Sequence, residues 1–80
     1  MTYLVIEIQK NVDGTVGNFV WSYTDINEAE SKFHSVLASA AISTVFVHSC
    51  ALLNECGFLI KSQSYQHIPE PEPEEIVEGE

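Results

Sequence analysis

The stretch TYLVIEIQKNVDGTVGNFVWSY, residues 2–23, decides the fold. Leu4, Ile6 and Ile8 alternate with Tyr3, Val5, Glu7 and Gln9, which is the period of a strand and not of a helix. Asn11-Val12-Asp13-Gly14-Thr15 follows. Asp-Gly between two β-prone runs signals a hairpin, because glycine takes positive φ without steric cost. Val16 to Tyr23 returns as the second strand, with Phe19, Trp21 and Tyr23 on one face and Val16 and Val20 on the other.

The period changes after this hairpin. Asp25 is placed to cap a helix, and Glu28 three residues on completes a capping-box-like pattern. Ile26, Ala29, Phe33, Val36 or Leu37, and Ala40 then recur at steps of three and four, the stripe of a helix that buries one side. Glu28 and Lys32 stand four apart with the acid first, the favoured order for a pair on the solvent side. Ser31, Ser35 and Ser39 form a small-residue flank with Ala38 and Ile42. From Ser43 the composition turns β-branched. Thr44 to Leu53 reads as a third strand, Asn54-Glu55-Cys56-Gly57 as a turn, and Phe58 to Tyr65 as a fourth strand. The order β-β-α-β-β predicts an α+β domain over residues 1–68, a small antiparallel sheet with one helix on one face. In residues 69–80 proline alternates with glutamate, and a disordered acidic tail is expected there.

Composition bounds the function. Eighty residues make one domain, and a chain of this size buries only about 60–65% of its unfolded surface, so an isolated monomer is marginal. Twelve acids against three lysines give a net charge of −9, which argues against a protein that grips a polynucleotide or an anionic membrane over a broad surface. Half of the acids fall in residues 67–80, where there is no lysine or arginine. The apolar runs are too short to span a bilayer, and no basic segment precedes a hydrophobic stretch at the N-terminus, so neither a membrane span nor a signal peptide is expected. Apolar residues nevertheless fall on both faces of the first two strands, while one helix covers only one face. A homo-oligomer, a dimer or larger, is the expected remedy. The alternation alone does not say which face the helix takes.

Few residues suggest chemistry. Cys50 and Cys56 flank a turn with no C-x-x-C and no histidine at zinc spacing, so two free thiols are expected, with a disulfide only if strand register brings them together. His34, His48 and His67 fall in different elements, and no metal or other cofactor is expected. No nucleophile elbow, P-loop or metalloprotease motif occurs, so the chain reads as a non-enzyme. The one pairing with catalytic character is His48 with Cys50, which share a strand face; a packed strand face is the plainer reading. The aromatic stripe Phe19, Trp21, Tyr23 could stack a nucleobase, although such stripes more often build a core or an interface. If a base binds, Lys10, Lys61 and His48 must supply the phosphate or sugar contacts. Three lysines suffice for a mononucleotide-sized ligand and are too few for a polynucleotide.

The segments Tyr3-Leu4-Val5, Glu7-Ile8-Gln9, Asp13-Gly14-Thr15-Val16, Asn27 to Lys32, Val36-Leu37-Ala38 and Val47-His48-Ser49, with the Glu55–Gly57 turn and the Glu/Pro tail, resemble a family of small accessory proteins. These are encoded in phages and prophages of gut Firmicutes. The resemblance covers most of residues 1–68 and carries no catalytic motif. It implies a phage protein at work in the cytoplasm of a bacterial host, either a virion or assembly component or an antagonist of host defence. Two functions are therefore expected. One is a non-enzymatic oligomer, an anti-defence sponge, that sequesters a nucleotide-derived immune signal, with Trp21 and Tyr23 stacking the base and His48, Lys61 and Lys10 contacting the rest. The other is an accessory or virion-associated protein that binds or inhibits a basic host or phage protein through its acidic surface.

Overall fold

The computed structural model describes residues 1–67, so the expected acidic tail, residues 69–80, lies outside the described residues. Four strands and one helix follow in the order β1 (Tyr3–Lys10), β2 (Val16–Tyr23), α1 (Ile26–Ala41), β3 (Val47–Asn54) and β4 (Leu59–Gln66). They form one antiparallel sheet in the spatial order β2-β1-β3-β4, with α1 against one face. The α+β class and the β-β-α-β-β order read from the sequence are those of the structure. The third strand starts later than its β-branched composition suggests, at Val47 and not at Thr44, because residues 42–46 carry the chain from the helix back to the sheet.

Both hairpins close in the same way. Asn11 donates its N–H to the Thr15 carbonyl (2.8 Å) and accepts from the Gly14 N–H (2.9 Å); Asn54 does the same with Phe58 and Gly57 (both 3.0 Å). Gly14 (φ +94°) and Gly57 (φ +87°) take the positive φ that ends such a loop, so these are three-residue turns with a glycine bulge, not two-residue turns. Asp13 locks the first turn by accepting from the Thr15 N–H (2.9 Å) and hydroxyl (2.8 Å), and these bonds hold its carboxyl below the usual carboxylate range. In the second turn Asn54 Oδ1 accepts from the Cys56 and Phe58 N–H groups.

Asp25 caps α1 in extended conformation, its side chain accepting from the Asn27 N–H at 2.8 Å. The helix buries Ala29, Phe33, Val36 and Ala40, with Ile26 and Leu37 packed beside them, which is the stripe read from the sequence. At its C-terminal end His67 Nε2 bonds to the Ala40 carbonyl (2.7 Å), and the His67 N–H donates to Phe46, so the end of β4 fastens the last turn of the helix. Lys61 on β4 pairs with Glu30 on α1 at 2.9 Å.

The helix lies on the face that carries Tyr3, Val5 and Glu7 of β1, Trp21 and Tyr23 of β2, and Cys50 and Leu52 of β3. Val5, Cys50 and Leu52 form the buried centre with Ala29, Phe33 and Val36. Chain chirality fixes this choice. β1 is antiparallel to both β2 and β3, so β2 and β3 run parallel and α1 is the crossover between them. The bonds of Asn11 show that odd-numbered residues of β1 aim their backbone groups at β2. With odd side chains under the helix, L-residues make the β2-α1-β3 connection right-handed, the hand that a twisted sheet strongly prefers. Leu4, Ile6 and Ile8 are thereby left on the face away from the helix, with Val16, Val20, Val47, Ala51 and Leu53. A bulge at Leu52/Leu53 shifts the register of β4, so that Leu52 pairs with Lys61 and Leu53 with Leu59.

Candidate functional site

The aromatic stripe of β2 lies at the edge of the sheet, on the helix side. Phe19 and Trp21 stack with centroids 6.1 Å apart. The Lys32 ammonium, from α1, sits 4.1 Å from the centroid of the Trp21 ring. A cation over an indole face gains about 0.5–1 kcal/mol at an exposed site. Next to this stack, Tyr23, Glu28, Ser31, Lys32 and Ser35 line a solvent-open groove of about 450 Å³ between α1 and β2. Small-molecule sites commonly measure about 300–1,000 Å³. The groove offers one ammonium, two hydroxyls, a phenol and the edge of an aromatic stack, a donor set that suits a small ligand with one anionic group and one planar ring. Glu28 at its rim opposes a second negative charge.

The structure divides the five expected ligand residues. Tyr23 lines the groove, and Trp21, on the same strand face, lies beside it under the Lys32 ammonium. His48 and Lys61 share the helix-covered face but are engaged elsewhere: Lys61 holds Glu30, and His48, only 4% exposed, is enclosed by a polar network. Lys10 lies on the opposite face, at the end of β1 against Val16 and Val47. Sequence reading missed Lys32, because the i,i+4 rule assigned it to Glu28. Among the described residues that pair is not formed, and Lys32 covers Trp21 instead. The signal was present in the small-residue flank of Ser31 and Ser35, which leaves one side of the helix low enough for a groove.

His48 anchors a second constellation. Its Nδ1 lies 2.9 Å from Ser43 Oγ and its Nε2 lies 2.5 Å from Glu7 Oε2. Glu7 Oε2 also accepts from the Gln9 side chain at 3.0 Å. Acid, imidazole and serine thus stand in the order of a nucleophilic triad. Ser43 Oγ, however, also accepts from the Val45 N–H (3.2 Å), and the α1–β2 groove is not lined by Ser43, His48 or Glu7. A buried imidazole needs partners for both nitrogens, and the network supplies them. Cys50 is a free, buried thiol, and burial, then the charge of Glu7, push its pKa up to about 11. It is therefore protonated near neutrality and a poor nucleophile. Cys56 is free and exposed in the second turn. Among the described residues no three His, Cys, Asp or Glu side chains are grouped as metal ligands, and no helix is long and apolar enough to cross a membrane.

No protein-family model, curated protein or solved structure matches the chain.

Proposed function

We propose that this chain is a phage accessory protein that acts without catalysis, as a homo-oligomer, by sequestering a nucleotide-derived signal of its bacterial host. The observation that carries the reading is the Lys32–Trp21 stack beside the groove of Tyr23, Ser31 and Ser35. Trp21 and Tyr23 provide the aromatic surface for a base, and Lys32 with the two serines provides the contacts for a phosphate. His48 and Lys61 act indirectly, by holding the sheet and the helix that form the groove. A single cation at the groove suits a mononucleotide-sized ligand and not a strand with many phosphates.

The test is native mass spectrometry of the full chain purified from cells that make cyclic or linear nucleotide immune signals, followed by calorimetry with the ligand found. Added mass with excess absorbance near the nucleobase band supports the reading, and Lys32→Ala then weakens binding at least about tenfold while leaving the fold intact. An apo-protein that binds none of these signals overturns it. The net charge of −9 favours a second reading, an interaction protein for a basic partner. Deleting residues 69–80 separates the two, because a ligand held at the groove survives the deletion and tail-led protein binding does not.

A further inference from the structure

We infer that the sheet face away from the helix is the self-association surface of this protein, and that its occupant is the same face of a second copy. Leu4, Ile6 and Ile8 of β1, Val16 and Val20 of β2, Val47, Ala51 and Leu53 of β3 and Leu59 of β4 all lie there. Ile8 is 37% exposed, Val20 54% and Leu59 58%. Three properties favour a second copy over another occupant.

The first is area. Strands of eight residues at about 3.3 Å each, four abreast at about 4.8 Å, give the face a footprint of roughly 500 Å². Two such faces together remove about 1,000 Å², the lower bound for a biological interface, and a lone patch of this extent lies at the upper end of what a monomer exposes. The second is charge. The net charge of −9 makes two copies repel over most approaches. The acids of residues 1–67 lie elsewhere: Glu7 points to the helix side, Asp13 and Glu55 sit in the turns, and Asp25, Glu28 and Glu30 sit at or on α1. Among the strand residues of this face only Lys10 is charged. Acidic chains can thus meet here without opposing carboxylates, and a basic partner finds nothing to pair with.

The third is shape. A shallow groove of about 570 Å³ runs over β3 and β4, floored by Ser49, Ala51, Ser62 and Ser64 and edged by Ile8 and Leu59. Val16 and Val20 of β2, 58% and 54% exposed, lie on the same face on the other side of β1. In the proposed pairing a two-fold axis sets these valines of each copy against the groove of the other, the self-complementary contact of a closed dimer. Packed sheets of this kind stand about 10 Å apart.

The inference deepens the homo-oligomer element of the proposed function and does not depend on the ligand. It is tested on the full chain by sedimentation velocity and light scattering from about 1 to 100 µM, a range chosen to span interfaces of this class. The wild type should be a dimer or an even oligomer built on dimers. The double variant Ile8→Lys/Val20→Lys should dissociate at least about a hundredfold more readily, since it sets lysines against lysines across the axis. Circular dichroism and urea unfolding check that its fold is retained. A monomeric wild type overturns the inference, and so does a folded variant that remains oligomeric, as it would if copies paired along the β2 edge. Hydroxyl-radical footprinting of the wild type removes any dependence on the variant's folding. Ile8, Val20 and Leu59 should be protected at high concentration and react on dilution, and equal reactivity at both concentrations overturns the inference. Loss of ligand binding with the dimer intact would refute the proposed ligand alone.

Discussion

Truncating Leu52 tests the placement of the helix directly. Leu52 is fully buried, at 0% exposure, against Val5, Phe33 and Val36, whereas Leu59, on the neighbouring strand, is 58% exposed. If α1 covers the face assigned to it, Leu52→Ala removes a core side chain whose space the rigid sheet cannot close, a loss of about 2–5 kcal/mol. A domain of this size has a total stability on the order of 4–12 kcal/mol, so the variant should lose a large share of it. Leu59→Ala should cost under about 1 kcal/mol in the monomer, because an exposed side chain forfeits little on truncation. Urea unfolding followed by circular dichroism reads both. With a slope of about 1 kcal/mol per molar, Leu52→Ala should lower the midpoint by roughly 2 M or more. The measurement is repeated over a tenfold range of protein concentration, since subunit binding stabilises the native state by mass action and would add a concentration-dependent loss to Leu59→Ala. A Leu52→Ala variant within 1 kcal/mol of wild type, or one less affected than Leu59→Ala at the lowest concentration, would show that the helix covers the other face.

Three further outcomes follow from the His48 network and the two free thiols. Glu7→Ala leaves His48 Nε2 without its partner in a site that is 4% exposed, and should cost about 1–3 kcal/mol. Glu7→Gln keeps a hydrogen-bonding group there and should cost less; equal stability of Glu7→Ala and wild type in urea unfolding would refute the role given to the network. In native protein a thiol reagent near pH 8 should modify Cys56 rapidly and Cys50 only slowly, with both reacting after denaturation. The Cys50 pKa is raised from about 9 to about 11 on folding, so its contribution to stability is fully present below pH 9 and is lost as pH rises toward 11. Cys50→Ser, with its hydroxyl ionising far higher, should flatten that part of the stability–pH curve, and an unchanged curve would refute the assignment.

The element order was legible because each element has its own local signature. Alternation marks β1, Asp13-Gly14 and Cys56-Gly57 mark the turns, and Asp25 with the stripe from Ile26 to Ala40 marks the helix. The candidate site was only half legible. Trp21 and Tyr23 follow from a period of two within one strand, but Lys32 reaches Trp21 across a helix–strand contact that sequence spacing does not encode. The commitments of His48 to Glu7 and Ser43 were hidden for the same reason, since Glu7 and His48 are 41 residues apart and meet only once β1 and β3 are in register.

Local chemistry therefore determined which segments are strands, helix and turns, and which residues share a face. The sequence did not determine which of two apolar faces lies under the helix. Judged by residue type alone, Leu4, Ile6 and Ile8 would be the better core, yet they face away. The tertiary structure decided this through the right-handed crossover from β2 over β1 to β3, a consequence of strand twist that acts on the whole sheet and not on any one residue. The same geometric constraint leaves the aliphatic face uncovered and sets Lys32 over the Trp21 ring.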